Sequence, residues 1–182
     1  MGIRMRARHF LLGGAAVKRH AATLAALENA TTPPRKILFL CYGNICRSPV
    51  AEELARQSLP QMEVASAGFF EPTGRHTPPH IHDACRSLGL SLPTGASKRV
   101  TADMVRSSEL VVLHDLENYQ MFSSEFPGFL DRMLLLGMFL DPPQPAIKDP
   151  YISDPEETLA IVQHIRDAVA RLSQLLSRPS QS

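Results

Sequence analysis

Residues 37–52 read ILFLCYGNICRSPVAE. The first four form an apolar run that predicts a buried strand, and Pro49 with the apolar positions after it predicts the start of a helix. A strand that turns directly into a helix aims backbone N–H groups and the positive end of the helix dipole at one spot. Cys41 begins this turn, and Arg47 ends it with a guanidinium that can bind two phosphoryl oxygens. The turn is therefore predicted to hold a phosphate-like dianion against a thiolate, which the same field stabilises.

The string C-x-G-N-x-C-R-S-P-x-A-E, from Cys41 to Glu52, resembles the signature of the low-molecular-weight protein tyrosine phosphatases at all nine specified positions. The resemblance implies hydrolysis of phosphotyrosine through a cysteinyl-phosphate intermediate, with Cys41 as the nucleophile and Arg47 as the phosphate clamp. It places the rest of the substrate-binding loop at Tyr42, Gly43, Asn44, Ile45, Cys46 and Ser48. Family members that resemble arginine phosphatases tend to carry threonine where this chain has Ile45, so a phosphotyrosine substrate is favoured.

The resemblance also calls for a general acid in a D-P-Y loop, and Asp149-Pro150-Tyr151 matches that loop. Tyr151 is expected to bind substrate by stacking on an aromatic leaving group. Two further Asp-Pro pairs are present. Asp154, with Glu157 three residues later, has the pattern of a helix capping box, and Asp141 has no aromatic residue after it. We therefore expect Asp149 to be the general acid and base.

Several neighbouring residues are predicted to support the loop. Asn44 tolerates a left-handed backbone and can fasten the loop by hydrogen bonds, and Ser48 can donate to Cys41 or cap the following helix. The resemblance implies a reversible Cys41–Cys46 disulfide under oxidation. Asp115 and Asn118 match the family's D-x-x-N and are interpreted as a helix N-cap.

Other side chains are given no role in the reaction. Cys85 is expected in the core, and a family histidine that braces the loop asparagine is missing near residues 95–97. His76, His80 and His82 are interpreted as surface residues, because a credible fourth metal ligand is lacking. No metal or cofactor is expected.

The remaining patterns predict an α/β fold, with an open four-stranded parallel sheet flanked by helices on both faces and an N-terminal helical extension. Strands are predicted at residues 37–40, 62–67, 109–113 and 133–136, and helices from Pro49 and at residues 79–88, 115–122 and 154–176. The catalytic turn then lies at the carboxyl end of the first strand, where open parallel sheets bind their ligands.

Composition sets apart a basic extension with a Pro-containing linker at residues 1–34. The resemblance implies a phosphatase domain at 35–178, and a tail follows at 179–182. Six of the 19 Lys and Arg residues lie in residues 1–35, against one of the 18 acidic residues. A helix is predicted at residues 15–28, with an apolar side at Val17, Leu24 and Leu27. This helix can pack on the domain or touch a membrane surface or a partner. Alternatively, the extension is an artefact of an upstream start site. A signal or transit peptide agrees less well with the composition of these residues. We expect residues 1–32 to be dispensable for chemistry.

Composition narrows the possible partners. A net charge of +1 argues against a general nucleic-acid binder, and no apolar run of about 18 residues predicts a transmembrane segment. Three cysteines make no disulfide framework and fit a reducing, cytoplasmic compartment. The expected partner is a phosphotyrosine-containing protein, for which a bacterial tyrosine kinase is the analogy; the sequence carries no signal for an oligomeric state.

Two competing functions remain. An arsenate reductase of the same fold commonly needs a downstream cysteine pair, and only Cys85 lies downstream. A non-catalytic phosphotyrosine-binding module would be expected to lose either the cysteine or the acid, and this chain keeps both.

Overall fold

The computed structural model describes residues 2–177, and for residues 2–11 it describes the backbone alone. The predicted tail at 179–182 lies outside the described residues. The helices and strands of the described part follow in the order α1 Gly2–Glu28, β1 Lys36–Cys41, α2 Arg47–Ser58, β2 Glu63–Gly68, α3 Pro79–Ser87, α4 Ala102–Ser107, β3 Leu110–Leu113, α5 Leu116–Glu125, β4 Met133–Leu135 and α6 Pro155–Leu176. Short 3₁₀ turns at Pro127–Arg132 and Leu136–Phe139 flank β4.

The four strands form one parallel sheet in the order β2-β1-β3-β4, which confirms the predicted fold class. Ile37 of β1 pairs with Val64 of β2 on one side and with Leu110 of β3 on the other. The chain adds β2 on one side of β1 and then crosses to add β3 on the other. The carboxyl end of β1 is therefore the point at which the strand order reverses, where open α/β sheets bind ligands.

Helices cover both faces of the sheet because successive side chains of β1 point to opposite sides. Ile37 and Phe39 are fully buried among side chains of α2, α3 and α6. Leu38 and Leu40 are fully buried among side chains of α1, α4 and α5. Burial on both faces explains why β1 appears in the sequence as a continuous apolar run and not as an alternating one.

The N-terminal helix differs from the prediction in its start. It begins at Gly2 rather than at residue 15 and continues through Gly13 and Gly14. Each glycine in a helix interior costs about 1 kcal/mol relative to alanine, which is why the pattern favoured a start after them. Ala16 is fully buried among α4 and α5 side chains, and Leu24 and Leu27 pack on the opposite core. The helix thus packs on the domain, one of the alternatives that the sequence left open.

Helix α1 covers the open edge of the sheet at β4. The backbone N–H of Leu135 in β4 donates to Nδ1 of His20 at 3.1 Å, and the Thr23 hydroxyl donates to the carbonyl of Asp131 at 3.0 Å. Burial lowers the pKa of His20 to about 4, so its ring is neutral and Nδ1 accepts. An uncovered edge strand presents unpaired N–H groups to other chains, and His20 removes one of them.

Two further differences concern helices. The sequence did not predict α4, which spans only six residues and is capped by the Thr101 side chain, because so short a segment shows little periodicity. Helix α2 starts two residues before Pro49, which is tolerated because the first N–H groups of a helix have no intrahelical partner. Among the described residues, no helix combines the length and the apolar character needed to cross a bilayer.

Candidate active site

The turn between β1 and α2 surrounds the sulfur of Cys41. Cys41 is the last residue of β1 and is buried. The backbone N–H of Asn44 donates to Sγ at 3.3 Å, and the Ser48 hydroxyl lies 3.1 Å from Sγ. Both groups can donate to an anionic sulfur. This agrees with the prediction that a thiolate just before the start of a helix is stabilised by N–H groups and by the helix dipole. The structure thus brings Cys41 and Ser48 together as the sequence indicated.

Asn44 holds the turn in shape. Its backbone is left-handed, with φ of 51°, as its residue type allows. Its side-chain amide donates to the hydroxyls of Ser48 at 3.0 Å and Ser66 at 2.8 Å. Its carbonyl oxygen accepts from the backbone N–H of Lys98 at 2.8 Å, in the segment where the family's histidine is missing. Because Ser48 accepts from Asn44, its own proton is shared between two acceptors, the Sγ of Cys41 at 3.1 Å and the carbonyl of Ala67 at 3.3 Å.

A glycine is needed where β2 passes behind the turn. A Cβ at Gly68 would lie 2.7 Å from both the backbone nitrogen of Asn44 and the carbonyl oxygen of Tyr42. Real Cβ contacts are not that short, so any side chain here would displace the turn. The Ser66-Ala67-Gly68 string therefore matters to the site through packing and through the hydroxyl of Ser66.

The guanidinium of Arg47 is buried beneath the turn and binds two carboxylates. Its Nη1 donates to Asp115 at 2.5 Å and to the carbonyl of Ile147 at 2.9 Å, and its Nη2 donates to Asp149 at 2.6 Å. Burial alone would lower the pKa of Arg47, but the negative groups around it, Cys41 first, raise it, so the cation persists. Its Nε has no hydrogen-bond partner among the described residues and is available to an incoming oxygen.

The sequence missed the contact between Asp115 and Arg47. It predicted Asp115 as the N-cap of α5, and the side chain does accept from the backbone N–H of Asn118. The other carboxylate oxygen binds Arg47. The capping pattern alone explains why an aspartate stands at this position. It therefore gives no reason to expect a second contact with Arg47, which lies 68 residues earlier in the chain.

Only one of the three Asp-Pro pairs reaches this site. Asp149 lies against Arg47, and its second oxygen accepts from the backbone N–H of Tyr151 at 3.1 Å. Asp154 caps α6 by accepting from the backbone N–H of Glu157 at 2.8 Å, as predicted. Asp141 lies near Arg171 on a separate surface pocket.

A cavity of about 200 Å³ opens above Cys41. Its lining consists of Cys41, Tyr42, Gly43, Ile45, Cys46, Phe70, Arg75, Asp149 and Tyr151. Tyr42 and Phe70 pack with ring centroids 5.2 Å apart, and Tyr151 is half exposed at the rim. The cavity is therefore flat-sided and aromatic, with the sulfur at its base and a carboxylate on its wall.

Arg75 is a site residue that the sequence did not indicate. Its Nη2 donates to the carbonyl of Gly43 at 2.8 Å, and its guanidinium lies 4.5 Å from the centroid of the Phe70 ring. It fixes the first residues of the turn and adds positive charge beside them. It lies in the irregular segment between β2 and α3, where no periodic pattern or motif points to it.

The other two cysteines differ from Cys41 in their surroundings. Burial, aided by the negative charges of Asp149 and Cys41, raises the pKa of the Cys46 thiol, so Cys46 is protonated. Burial alone raises the pKa of Cys85 to about 12, and this residue lies in the core as expected. All three cysteines are free thiols in this structure.

Comparison with known proteins gives a consistent result. Residues 36–182 match the family model described as low molecular weight phosphotyrosine protein phosphatase. The chain is 30% identical over 142 residues to the probable low molecular weight protein-tyrosine-phosphatase AmsI of Erwinia amylovora, covering 78% of this chain and 97% of AmsI.

Solved structures show the same likeness. The tyrosine phosphatase Wzb from Escherichia coli K30 in complex with sulphate superposes with a TM-score of 0.73 at 27% identity, covering 78% of this chain and 97% of Wzb. The arginine phosphatase YwlE from Geobacillus stearothermophilus superposes with a TM-score of 0.71 at 27% identity, covering 78% of this chain and 92% of YwlE. The fold alone therefore does not distinguish a tyrosine phosphatase from an arginine phosphatase.

Proposed function

The chain belongs to the low-molecular-weight phosphotyrosine protein phosphatase family, and on that premise we propose that it hydrolyses phosphotyrosine in proteins through a cysteinyl-phosphate intermediate. The observation that carries the mechanism is that Cys41 and Asp149 line one cavity, although more than 100 residues separate them, and that Arg47, buried beneath the turn, binds Asp149. A nucleophile, a proton donor and a cation that can bind the phosphoryl oxygens are the groups that hydrolysis of an aryl phosphate needs.

In the first step, the Cys41 thiolate attacks phosphorus and the bond between phosphorus and the tyrosine oxygen breaks. Asp149, protonated once it leaves Arg47, gives its proton to that oxygen, because a phenol with a pKa of about 10 is a poor leaving group as the anion. Neutral tyrosine leaves, and the phosphoryl group stays on Cys41.

In the second step, Asp149 as a carboxylate takes a proton from water, and the resulting oxygen nucleophile attacks phosphorus. The bond between sulfur and phosphorus breaks, inorganic phosphate leaves and Cys41 returns as the thiolate. The Ser48 hydroxyl, 3.1 Å from Sγ, stabilises the departing sulfur by a hydrogen bond. At the end of the cycle Asp149 again carries the proton that it gave to tyrosine, and Cys41 is again a thiolate.

Arg47 changes partners during this cycle. In the free protein its Nη2 donates to the Asp149 carboxylate at 2.6 Å. A substrate dianion competes for the same guanidinium through bidentate hydrogen bonds and releases Asp149 to take up a proton. Asp115 stays bound to Nη1 and holds the guanidinium in place meanwhile.

The walls of the cavity favour tyrosine over arginine as the phosphorylated side chain. Tyr42, Phe70 and Tyr151 line the space above Cys41, and an aryl ring gains about 0.5–1.5 kcal/mol from aromatic contacts beyond its buried area. Ile45 adds an apolar surface where a hydroxyl would suit a guanidinium. A phosphotyrosine-containing protein in a reducing compartment, such as a bacterial tyrosine kinase, is the proposed class of partner.

The experiment that tests the acid compares Asp149→Asn with the control Asp154→Asn. The first change should lower kcat by about 10²–10⁴ on phenyl phosphate, the usual contribution of a positioned acid. The loss should shrink for substrates with very acidic leaving groups. Asp154→Asn should leave kcat unchanged. A larger kinetic loss from Asp154→Asn would contradict the assignment.

A further inference from the structure

The loop that carries Asp149 is held by a contact from α3 that the mechanism above does not use. Nε2 of His80, in the first turn of α3, lies 3.1 Å from the carbonyl oxygen of Pro150. A carbonyl only accepts, so the proton of this hydrogen bond is on Nε2 of His80. From the sequence, His80 was interpreted as a surface residue, but its side chain is half-buried in this contact.

The contact reaches Asp149 through a single peptide group. The carbonyl of Pro150 and the N–H of Tyr151 belong to one planar unit, so fixing one of them fixes the other. That carbonyl accepts from His80, and that N–H donates to Oδ1 of Asp149 at 3.1 Å. The imidazole of His80 therefore sets the orientation of the donor that holds the Asp149 carboxyl group.

The remaining contacts of the loop leave this orientation to His80. The backbone N–H of Ile147 donates to the carbonyl of His114 at 2.7 Å, which anchors the loop before Asp149. After Asp149, the backbone N–H of Ser153 donates to the carbonyl of Pro150 at 3.1 Å, a bond within the loop itself. Among the described hydrogen bonds, His80 provides the one link from another element to the 150–151 peptide.

We propose that His80 is a positioning residue for the general acid, acting through the 150–151 peptide. This inference rests on the proposed role of Asp149. With Oδ1 of Asp149 held by Tyr151, Oδ2 is the oxygen that carries the proton towards the leaving group, and it is also the oxygen that Arg47 binds in the free protein. Without His80 the peptide is held only by hydrogen bonds within the loop, from Ser153 and to Asp149, and Oδ2 points less reliably at the substrate oxygen.

The test is kcat/KM for two substrates that differ in their need for a proton. Phenyl phosphate has a poor leaving group and requires the acid, whereas 2,4-dinitrophenyl phosphate does not. His80→Ala should lower kcat/KM for phenyl phosphate about five- to tenfold, the effect expected of one lost neutral hydrogen bond. It should leave kcat/KM for the dinitrophenyl ester within about twofold, because the shared chemistry at Cys41 is untouched.

Two variants serve as controls. His80→Gln keeps an N–H donor near the same place and should recover most of the loss on phenyl phosphate. His82 is a half-buried histidine of the same helix and makes no described hydrogen bond to the loop. His82→Ala should therefore change kcat/KM for neither substrate. If His80→Ala lowers the melting temperature below the assay range, His80→Leu retains side-chain volume and carries the same expectation.

The outcomes separate the inference from the proposed function. An equal loss on both substrates, no loss on either, or an equal effect of His82→Ala would overturn the role of His80 and leave the phosphatase proposal intact. Failure of the unmodified protein to hydrolyse either ester would overturn the proposed function itself. A selective loss on phenyl phosphate with recovery in His80→Gln would support the positioning role.

Discussion

The contact between Arg47 and Asp115 makes a quantitative prediction for Asp115→Asn. This change keeps Oδ1 as the acceptor for the backbone N–H of Asn118, so the N-cap of α5 survives. It replaces the negative Oδ2, 2.5 Å from Nη1 of Arg47, by a neutral group. A hydrogen bond to a charged partner contributes about 1.5–3 kcal/mol, and the Asp115 side chain is only 16% exposed, so solvent screens it little. Asp149 still balances the buried cation, which keeps the cost below the larger penalty of an unpaired charge.

The expected loss of about 2 kcal/mol has two readouts. Chemical denaturation should give that decrease in the free energy of unfolding, and the melting temperature should fall by about 4–8 °C for a chain of this size. The kcat/KM for phenyl phosphate should fall about tenfold or more, because each 1.36 kcal/mol of lost transition-state binding is a factor of ten. Arg47 is the shared cause, so both effects should appear together.

Two companion variants test the reasoning behind this magnitude. Asp115→Ala also removes the helix cap and should cost about 1 kcal/mol more in unfolding, with little further change in kcat/KM. Asp141→Asn removes an exposed carboxylate 3.7 Å from Arg171 and should cost under about 0.5 kcal/mol. If Asp115→Asn is no worse than Asp141→Asn in either assay, the ion pair with Arg47 does not support the site as argued.

Three further predictions concern α1, buried histidines and Cys46. Removal of residues 1–31 should lower the melting temperature, since Ala16, His20 and Thr23 lose their buried contacts. The kcat/KM per folded molecule should stay within about threefold, because none of the described side chains of α1, from residue 12 onward, lines the cavity. An unchanged melting temperature would mean that α1 adds nothing to stability. Because burial lowers the pKa of His20 to about 4, its stabilising contribution should be complete above its unfolded pKa of about 6.5 and lost as pH falls towards 4. Urea unfolding should therefore show that the free energy of unfolding declines less steeply between pH 6.5 and 4 in His20→Leu than in the unmodified protein. Equal slopes would refute this. Cys46→Ser should keep its activity, but after oxidation by peroxide and treatment with a thiol it should regain less activity than the unmodified protein. Equal recovery of activity would mean that no Cys41–Cys46 disulfide protects Cys41.

The sheet and the turn after β1 could be predicted because both depend on local sequence. Strands β1, β3 and β4 are buried on both faces and so appear as apolar runs, whereas β2 begins with the exposed Glu63 and alternates in sequence. The turn carries nine specified residues in one string. The left-handed Asn44 and the hydrogen bond from Ser48 to Cys41 followed from residue type and spacing. Asp149 was distinguished from two similar pairs by the aromatic residue after it.

The contacts that the sequence did not predict all join distant segments. Asp115 reaches Arg47, Arg75 reaches Gly43 and His80 reaches Pro150 across gaps of 68, 32 and 70 residues. Asp115 already had a local explanation as a cap, and His80 had one as a surface residue beside two prolines. Such partners depend on how loops close over the sheet, which hydrophobic periodicity does not specify. The early start of α1 was missed for a related reason, since packing on the domain offsets the cost of its two glycines.

The most direct test of the central claim is detection of the phosphoryl group on Cys41. The protein and a phosphotyrosine peptide are mixed, quenched in acid within the first turnover and analysed by intact-mass and peptide mass spectrometry. Asp149→Asn is included with 2,4-dinitrophenyl phosphate as its phosphoryl donor, because that ester transfers its group without an acid while loss of the base should slow hydrolysis of the intermediate. Cys41→Ala is the negative control. We expect one phosphoryl group on Cys41, a larger labelled fraction in Asp149→Asn, and neither label nor turnover in Cys41→Ala. Turnover of the peptide within tenfold of the unmodified protein in Cys41→Ala, or phosphate release with no label on Cys41 in either active form, would contradict it.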